Sequence, residues 1–324
     1  MGIYCCAALA LLVIIKMLIM RSAGGTVRTA ALRHAASMDN LLYPPLSSDN
    51  SVSTLKARKH AVRMHPIYNF LHTYYRYSAE ELKLYTPGVG AGVQLENAQD
   101  LALMHPTFRR VHERCVSYSL DGPLPADGRY GWIQLSRVRD ILRNTEENPP
   151  SLGCFGLHEW AMLYRGNPPH QTGLSLRVSQ HTIDAVVETE GNMKCTHYDA
   201  YRFFHPDAKP LNSLPRLSRE VQPQHEQPAC IHASMDLFKF AYKLYPLCSA
   251  ELLHATLAAA LKARKIDMRA SPYDVSAYEG CEEAIRVETP EGKKSYIHEQ
   301  IQLMKESAPL RSQLREAYEA VLSV

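Results

Sequence analysis

Three short segments of the chain are rich in histidine and acidic residues, which are the residue types that bind metals and transfer protons. They are GCFGLHEW at 153–160, CTHYD at 195–199 and CIHASMD at 230–236. We predict that folding brings the three segments together into one enzyme site. The candidate catalytic residues are His158, Glu159, His197, Asp199 and Asp236.

The first segment excludes one reaction. His158 and Glu159 begin like the zinc-protease motif, but that motif needs a second histidine four residues after the first, and this position is Met162. The pair of imidazoles on one helical face that binds zinc in such proteases is therefore incomplete, and a zinc protease is excluded. The pair stays a candidate for acid and base catalysis.

The second segment reads as part of a strand, on which His197 and Asp199 would project from the same face. With His232 from the third segment they would complete a two-histidine, one-carboxylate set for divalent iron or zinc. Two alternatives stay open. The pair could be a metal-free acid and base, or a structural hydrogen-bonded pair.

The third segment is predicted to open a helix that runs through Lys243. His232 and Asp236 are four residues apart on it and share one face. They belong to the site or, alternatively, form an ion pair or a cap within the helix. Further along, DMRASPYD (267–274) closes another helix, where Arg269 either binds a substrate anion or lies in a surface turn.

The elements that position these residues are mostly helical. A helical pattern covers Leu55 to Tyr77, with a polar stripe that includes Asn69, a candidate substrate contact. The last third is also helical, with Ser249 as a helix N-cap.

Between them, residues 174–180, 182–190 and 193–204 are rich in β-branched and aromatic residues, which predicts an antiparallel meander. An edge strand is predicted within 284–292. The fold class is α+β, a mainly helical domain with a small antiparallel sheet.

Composition limits the function further. The chain has 324 residues, 46% hydrophobic and 21% charged, with a formal charge of +3, so it can bury a full core and has no strong electrostatic preference for nucleic acid. The 8 cysteines are irregularly spaced, which predicts free thiols in a reducing compartment. There is no nucleotide-binding glycine loop and no serine-hydrolase elbow.

The N-terminal part predicts a membrane anchor at residues 1–22. Residues 3–20 are apolar except Lys16 and just reach the length of a bilayer span, and the arginines that follow place the main domain in the cytosol. The alternatives are a cleaved targeting segment, with the protein in an organelle interior, or a true start at Met38. Residues 23–59 are predicted to be a flexible basic and Ser/Pro-rich linker, and 60–324 a single catalytic-type domain.

Several longer segments carry a family resemblance over roughly residues 60–310. They are HPIYNFLHTYYRYSAEELKLYTPG, GCFGLHEWAMLYRG, KCTHYDAYRFFHP, EQPACIHASMDLFKFAYKL, DMRASPYD and VETPEGK. Together they resemble a family commonly labelled 3-methyladenine DNA glycosylase. The resemblance implies hydrolysis of the N-glycosidic bond of an alkylated base that has left the DNA stack.

Such a reaction needs an aromatic pocket, a carboxylate and phosphate contacts. The resemblance assigns the carboxylate to Asp199 or Asp236. The remaining candidates for stacking and for phosphate binding are Trp160, Tyr198, Phe203, Arg202 and Arg269. The same residues would suit a metal-dependent enzyme acting on a small organic substrate. A third possibility is a membrane-tethered binding protein without enzymatic activity.

Overall fold

The chain is described from a computed structural model. The described residues are 26–44, 55–112, 114–119, 124–169, 171, 173–189, 191, 193–214 and 217–323. The predicted anchor at 1–22 lies outside them. None of the described helices combines the length and the apolar character that a bilayer span requires.

Helices dominate the structure, as predicted, and we number them in chain order. They are α1 (Val27–Leu42), α2 (Leu55–Met64), α3 (Pro66–Tyr75), α4 (Ala79–Leu82), α5 (Trp132–Glu147), α6 (His158–Met162), α7 (Gln180–Glu188), α8 (Tyr198–Tyr201), α9 (Gln222–His225), α10 (Ile231–Leu244), α11 (Ala250–Ala270) and α12 (Pro290–Leu322). Three short 3-10 helices cover Ala98–Leu103, Tyr164–Gly166 and Lys209–Leu211.

The N-terminal helices correct one prediction and refine another. Residues 27–42, predicted to belong to a flexible linker, form α1, which buries Met38 and Leu42 in the main core. The helical pattern predicted from Leu55 to Tyr77 forms two helices, α2 and α3, which are separated at His65 because the residue before a proline is driven out of the helical conformation.

The antiparallel sheet exists, but its predicted location is wrong. Its strands are β1 (Gly92–Gln94), β2 (Arg109–His112) and β3 (Cys115–Tyr118), in the order β1-β3-β2. Val116 of β3 faces Val93 on one side and Val111 on the other. The sheet covers a small core of its own beside α1.

None of the three segments predicted to form the meander is a strand of a sheet: 182–190 lies mostly in α7, 193–204 contains the short helix α8, and 174–180 is mostly irregular. Ser179 caps α7 by accepting a hydrogen bond from Thr182 N, and Ile183, Val186 and Val187 recur at helical spacing to bury one face. Capping and periodicity therefore outweigh the β-branched composition on which the strand prediction was based. The edge strand predicted within 284–292 is also wrong, since Thr289 caps α12 and Pro290 is its first residue.

Three helices of the C-terminal half form the frame of the site. Helix α10 packs along α11, and α12 packs against both and against α5. Ser249 caps α11, as predicted, by accepting a hydrogen bond from Leu252 N at 3.2 Å. Helix α12 buries Tyr296, Gln300 and Leu303 on its inward face.

Candidate active site

The three histidine-containing segments lie side by side in the interior. The ring centroids of His158 and His232 are 4.3 Å apart, and those of His197 and His232 are 5.1 Å apart, with the latter pair nearly parallel. His158 begins α6, His197 precedes α8 and His232 lies in the first turn of α10. Three elements that are distant in sequence therefore bring three imidazoles together, with His232 between His158 and His197.

One part of the cluster is the His158 group, which we define as His158, His232 and Asp267. Each offers a donor atom within 4.8 Å of the others. His158 Nε2 and Asp267 Oδ1 are 2.7 Å apart, and both side chains are almost completely buried. Two imidazoles and one carboxylate are a common ligand set for zinc and for non-haem iron.

The contact between His158 and Asp267 does not have the geometry of a hydrogen bond. Neither His158 Nε2 nor Asp267 Oδ1 has a hydrogen-bond partner, although both atoms are buried. The other oxygen of Asp267 accepts a hydrogen bond from Arg264, which also donates to Glu159 Oε1 at 3.0 Å. The two atoms form a buried ion pair, and the absence of a well-aligned hydrogen bond leaves both available to a further partner such as a metal ion.

The second part is the His197 group, defined as His197, Glu226 and Asp236. Nδ1 of the imidazole lies 3.3 Å from Glu226 Oε1, and Nε2 lies 3.6 Å from Asp236 Oδ2. The ring thus bridges two carboxylates through its opposite nitrogens. A single ion cannot be bound by both nitrogens of one ring, so this geometry favours a carboxylate–imidazole–carboxylate proton relay over a metal site.

The buried charges of the site do not balance. Among the described residues, the carboxylates of Glu159, Glu226, Asp236 and Asp267 and the guanidinium groups of Arg264 and Arg311 are each at most 3% exposed. If all are ionised, two negative charges are in excess. Burying unbalanced charge is costly, so the site must take up protons or a cation.

The pKa values of the two groups differ in direction. Burial opposes the ionisation of Asp267, but the neighbouring charges of His158 and Arg264 outweigh it and lower the pKa of this carboxyl. Burial opposes protonation of His158 too, yet Asp267 raises the pKa of the imidazole. In the His197 group, burial lowers the pKa of His197 to about 3, and burial together with Asp236 raises that of Glu226 to about 8.

Three thiols border the same region. Cys195 Sγ donates a hydrogen bond to the carbonyl oxygen of His197 at 3.5 Å. The adjacent Cys195 thiol lowers the pKa of Cys154 to about 7, whereas burial raises the pKa of Cys230. Cys154 is only partly buried and is therefore the most reactive thiol of the three.

Asp199 does not join the expected metal set. The structure places His197 just before α8 and Asp199 within it, so the two side chains diverge instead of sharing the face of a strand. The carboxylate of Asp199 accepts a hydrogen bond from Lys239 Nζ at 2.7 Å and lies 3.2 Å from Arg202 Nε. Burial opposes its ionisation, but Lys239 lowers its pKa to about 2. The predicted ligand set His197, Asp199 and His232 is therefore wrong.

Asp199 instead lines a cavity of about 310 Å³, which we call the basic cavity. Lys239 reaches from the cavity to Asp236 at 3.2 Å, and Gln222 reaches from it to Glu226. The cavity thus lies directly outside the His197 group.

The other predicted site residues lie elsewhere. Trp160 is fully buried, with its indole N–H donating to the Ala270 carbonyl oxygen, and Tyr198 packs partly buried against the main core. Phe203 is 52% exposed beneath the Arg202 guanidinium. Arg269 pairs with Glu299 at 3.1 Å, away from the histidines. Of the predicted substrate contacts, Arg202 lines the basic cavity, whereas Asn69 does not.

Sequence reasoning missed Glu226, Arg264 and Asp267. The sequence does carry a signal for Arg264 and Asp267, because both continue the apolar stripe on the buried face of α11. The stripe advances by steps of four and three residues through Leu253, Leu257, Ala260, Arg264 and Asp267. A charged pair that continues an apolar helical stripe indicates a buried polar site. Glu226 lies in an irregular segment after α9, where no such pattern exists.

Comparison with known proteins adds no assignment, because no family model, curated protein or solved structure matches the chain. The function is therefore argued from the geometry of the site.

Proposed function

We propose that the protein is a metal-dependent enzyme in which His158, His232 and Asp267 bind one divalent zinc or iron ion. The observation that carries this proposal is the contact of 2.7 Å between His158 Nε2 and Asp267 Oδ1, two buried atoms without a hydrogen bond. Neighbouring ligand atoms of a tetrahedral or octahedral ion with bonds near 2.1 Å lie roughly 3.0–3.4 Å apart, so a small displacement would fit an ion between them.

The surrounding side chains support the same function. Arg264 holds one oxygen of Asp267 and leaves the other directed at His158, which is how an outer partner orients a metal ligand. A bound divalent ion would supply Lewis acidity and lower the pKa of a bound water. The His197 group, beside His232, would move the proton, with the neutral His197 as base and the protonated Glu226 as acid.

Two other predicted functions stay predictions. For base excision, the stacking residues that the resemblance implies, Trp160, Tyr198 and Phe203, do not line the basic cavity. A membrane-tethered binding protein has no use for a buried proton relay. Both are less well supported than a metal-dependent enzyme acting on a small organic substrate.

The test is metal analysis of the full chain, purified without chelator and reconstituted separately with zinc and with ferrous iron. Elemental mass spectrometry should find about one equivalent per chain, and cobalt substitution should give the visible absorption of a nitrogen- and oxygen-ligated ion. The Asp267→Asn variant, which keeps the side-chain shape, should lose the metal. The matched control, Glu226→Gln, should retain it.

Thermal unfolding would verify that both variants are folded. A wild-type protein that binds neither metal would overturn the proposal, as would an Asp267→Asn variant that binds as tightly as wild type. Loss of metal in Glu226→Gln alone would move the ion to the His197 group and overturn the assigned ligand set.

A further inference from the structure

The basic cavity has an uneven charge that the proposed metal centre does not explain. Its volume of about 310 Å³ is at the small end of the range for ligand pockets, roughly 300–1,000 Å³. The charged side chains that line it are Arg137, Arg202, Arg219, Lys239, Lys243 and Asp199. Five cations thus face one carboxylate.

Asp199 cannot neutralise these cations. It is 2.7 Å from Lys239 Nζ, 3.2 Å from Arg202 Nε and 4.0 Å from Arg219 Nη2, so one negative charge is shared among three positive ones. Arg137 is held by the Arg219 carbonyl oxygen and by Gln222 Oε1, which are neutral acceptors. Two further carboxylates act on these cations from outside the lining, since Asp236 lies 3.2 Å from Lys239 and Glu220 interacts with Arg137 and Arg219. Five cations are thus opposed by three carboxylates, and a positive excess remains.

Lys243 adds an exposed cation to the lining of the cavity. Its ammonium group makes no hydrogen bond or ion pair with any residue that the structure describes. Partial burial and the positive charge of Lys239 lower the pKa of Lys243, while Asp236 acts in the opposite direction. The side chain is therefore available to contact an anion that enters the cavity.

The cavity also has an apolar wall. Tyr74, Tyr75 and Phe240 line it opposite the arginines, and Tyr75 is fixed by a hydrogen bond from its hydroxyl to the Met235 carbonyl oxygen. A ligand that fits both sides carries an anionic group next to an apolar or aromatic part. Arginine clusters prefer phosphate, because the guanidinium fork donates two parallel hydrogen bonds to it.

We infer that the basic cavity is the binding subsite for the phosphate group of a small organic phosphomonoester, the substrate class of this enzyme. The inference rests on the proposed function only in assigning this ligand as the substrate. Lys239 and Gln222 connect the cavity with the carboxylates of the His197 group, so a molecule anchored there extends towards the proton relay. Arg219, at the mouth, is 64% exposed, while Asp199 at the floor is 10% exposed, which gives the phosphate a route of entry.

Calorimetric titration of the full chain at low salt tests the inference, with inorganic phosphate, phenyl phosphate and benzoate as probes. Lys243→Gln and Arg219→Gln should each weaken phosphate binding roughly tenfold, since each removes one charge-assisted contact. The control Lys262→Gln, on the surface of α11 and paired with Glu306, should bind within about twofold of wild type. Phenyl phosphate should bind more tightly than inorganic phosphate and than benzoate.

Three results would overturn the inference. The first is no binding of phosphate or phenyl phosphate at about 10 mM, a concentration at which a typical surface ion site is already detectable. The second is an unchanged affinity in both cavity variants, and the third is tighter binding of a single-stranded oligonucleotide that is lost in the same variants, which would make the cavity a nucleic-acid site. The Asp267→Asn variant separates this inference from the proposed function. It should bind phosphate like wild type while losing the metal, so failure of the metal centre and failure of the phosphate subsite give different results.

Discussion

Arg264 should be one of the most sensitive positions in the chain, because its charge is buried between two carboxylates. Its side chain is 1% exposed, contacts Glu159 Oε1 at 3.0 Å and also Asp267, and lies 3.9 Å above the Phe70 ring. The Arg264→Met variant keeps most of the volume and removes the charge. Breaking a buried pair from one side costs about 3–5 kcal/mol, and a desolvated cation–π contact adds about 1 kcal/mol.

The expected loss can be measured as a melting temperature. Unfolding entropy is about 2.1 cal/mol/K per residue, so the roughly 280 described residues give about 0.6 kcal/mol/K. The combined loss of about 4–6 kcal/mol then lowers Tm by about 7–10 °C. Differential scanning calorimetry in chelator removes any contribution from bound metal. Lys262→Met, two residues earlier on α11 and paired only with the exposed Glu306, should shift Tm by less than about 1 °C.

The pH dependence of this loss identifies its cause. Without Arg264, the folded-state pKa of Asp267 rises, because one of the two cations that oppose the effect of burial on this carboxyl is removed. A carboxyl with a raised folded pKa loses stability as pH increases above its unfolded pKa, so the variant should be closer to wild type at pH 5 than at pH 8. A loss of the same size at both pH values would indicate a packing defect. A Tm within about 1 °C of wild type at pH 8 would refute the buried-charge reasoning.

Three further predictions concern other parts of the chain. The neighbouring Cys195 thiol lowers the pKa of Cys154 to about 7, whereas burial raises the pKa of Cys115. At pH 7.5 iodoacetamide should therefore modify Cys154 about tenfold faster than Cys115. Equal modification rates, measured by peptide mass spectrometry, would contradict this. Burial opposes the ionisation of Glu288, but its two hydrogen bonds from Arg177, at 2.6 and 3.0 Å, lower its pKa. The difference in unfolding free energy between wild type and Arg177→Gln should therefore reach its full size above pH 4.5 and disappear as pH falls below that value. A difference in urea unfolding that does not change with pH would exclude this ion pair as the cause. Leu253→Ala, at a fully buried position of α11, should cost about 2–5 kcal/mol in urea unfolding, and a loss below about 1 kcal/mol would mean that the core there is loosely packed.

The sequence predicted local features better than long-range ones. The helix that carries His232 and Asp236, and the cap at Ser249, depend on residues within one turn of each other, and both occur as predicted. The sheet was misplaced because β-branched residues are also compatible with a buried helix face, as in α7. Composition alone could not distinguish the two environments.

The members of the His158 group could not be deduced for a different reason. Asp267 lies 109 positions after His158, and only the packing of α6 against the end of α11 brings them together. The sequence indicated which segments could do chemistry, but the choice of carboxylate depends on tertiary packing. Asp199, chosen for its proximity to His197 in sequence, belongs to the cavity instead.

One face of α10 joins the two parts of the site and limits the size of the substrate. His232, Asp236 and Lys239 lie at positions i, i+4 and i+7, so they share this face and belong in turn to the His158 group, the His197 group and the basic cavity. Seven residues of α-helix span about 10 Å, so the near edge of the cavity, at Lys239, lies about 10 Å along α10 from the proposed metal. A phosphomonoester whose phosphate lies beside Lys239 reaches the metal if its reacting group is about that far from its phosphate. This distance fits a small organic molecule, and for this reason we favour a small substrate over DNA.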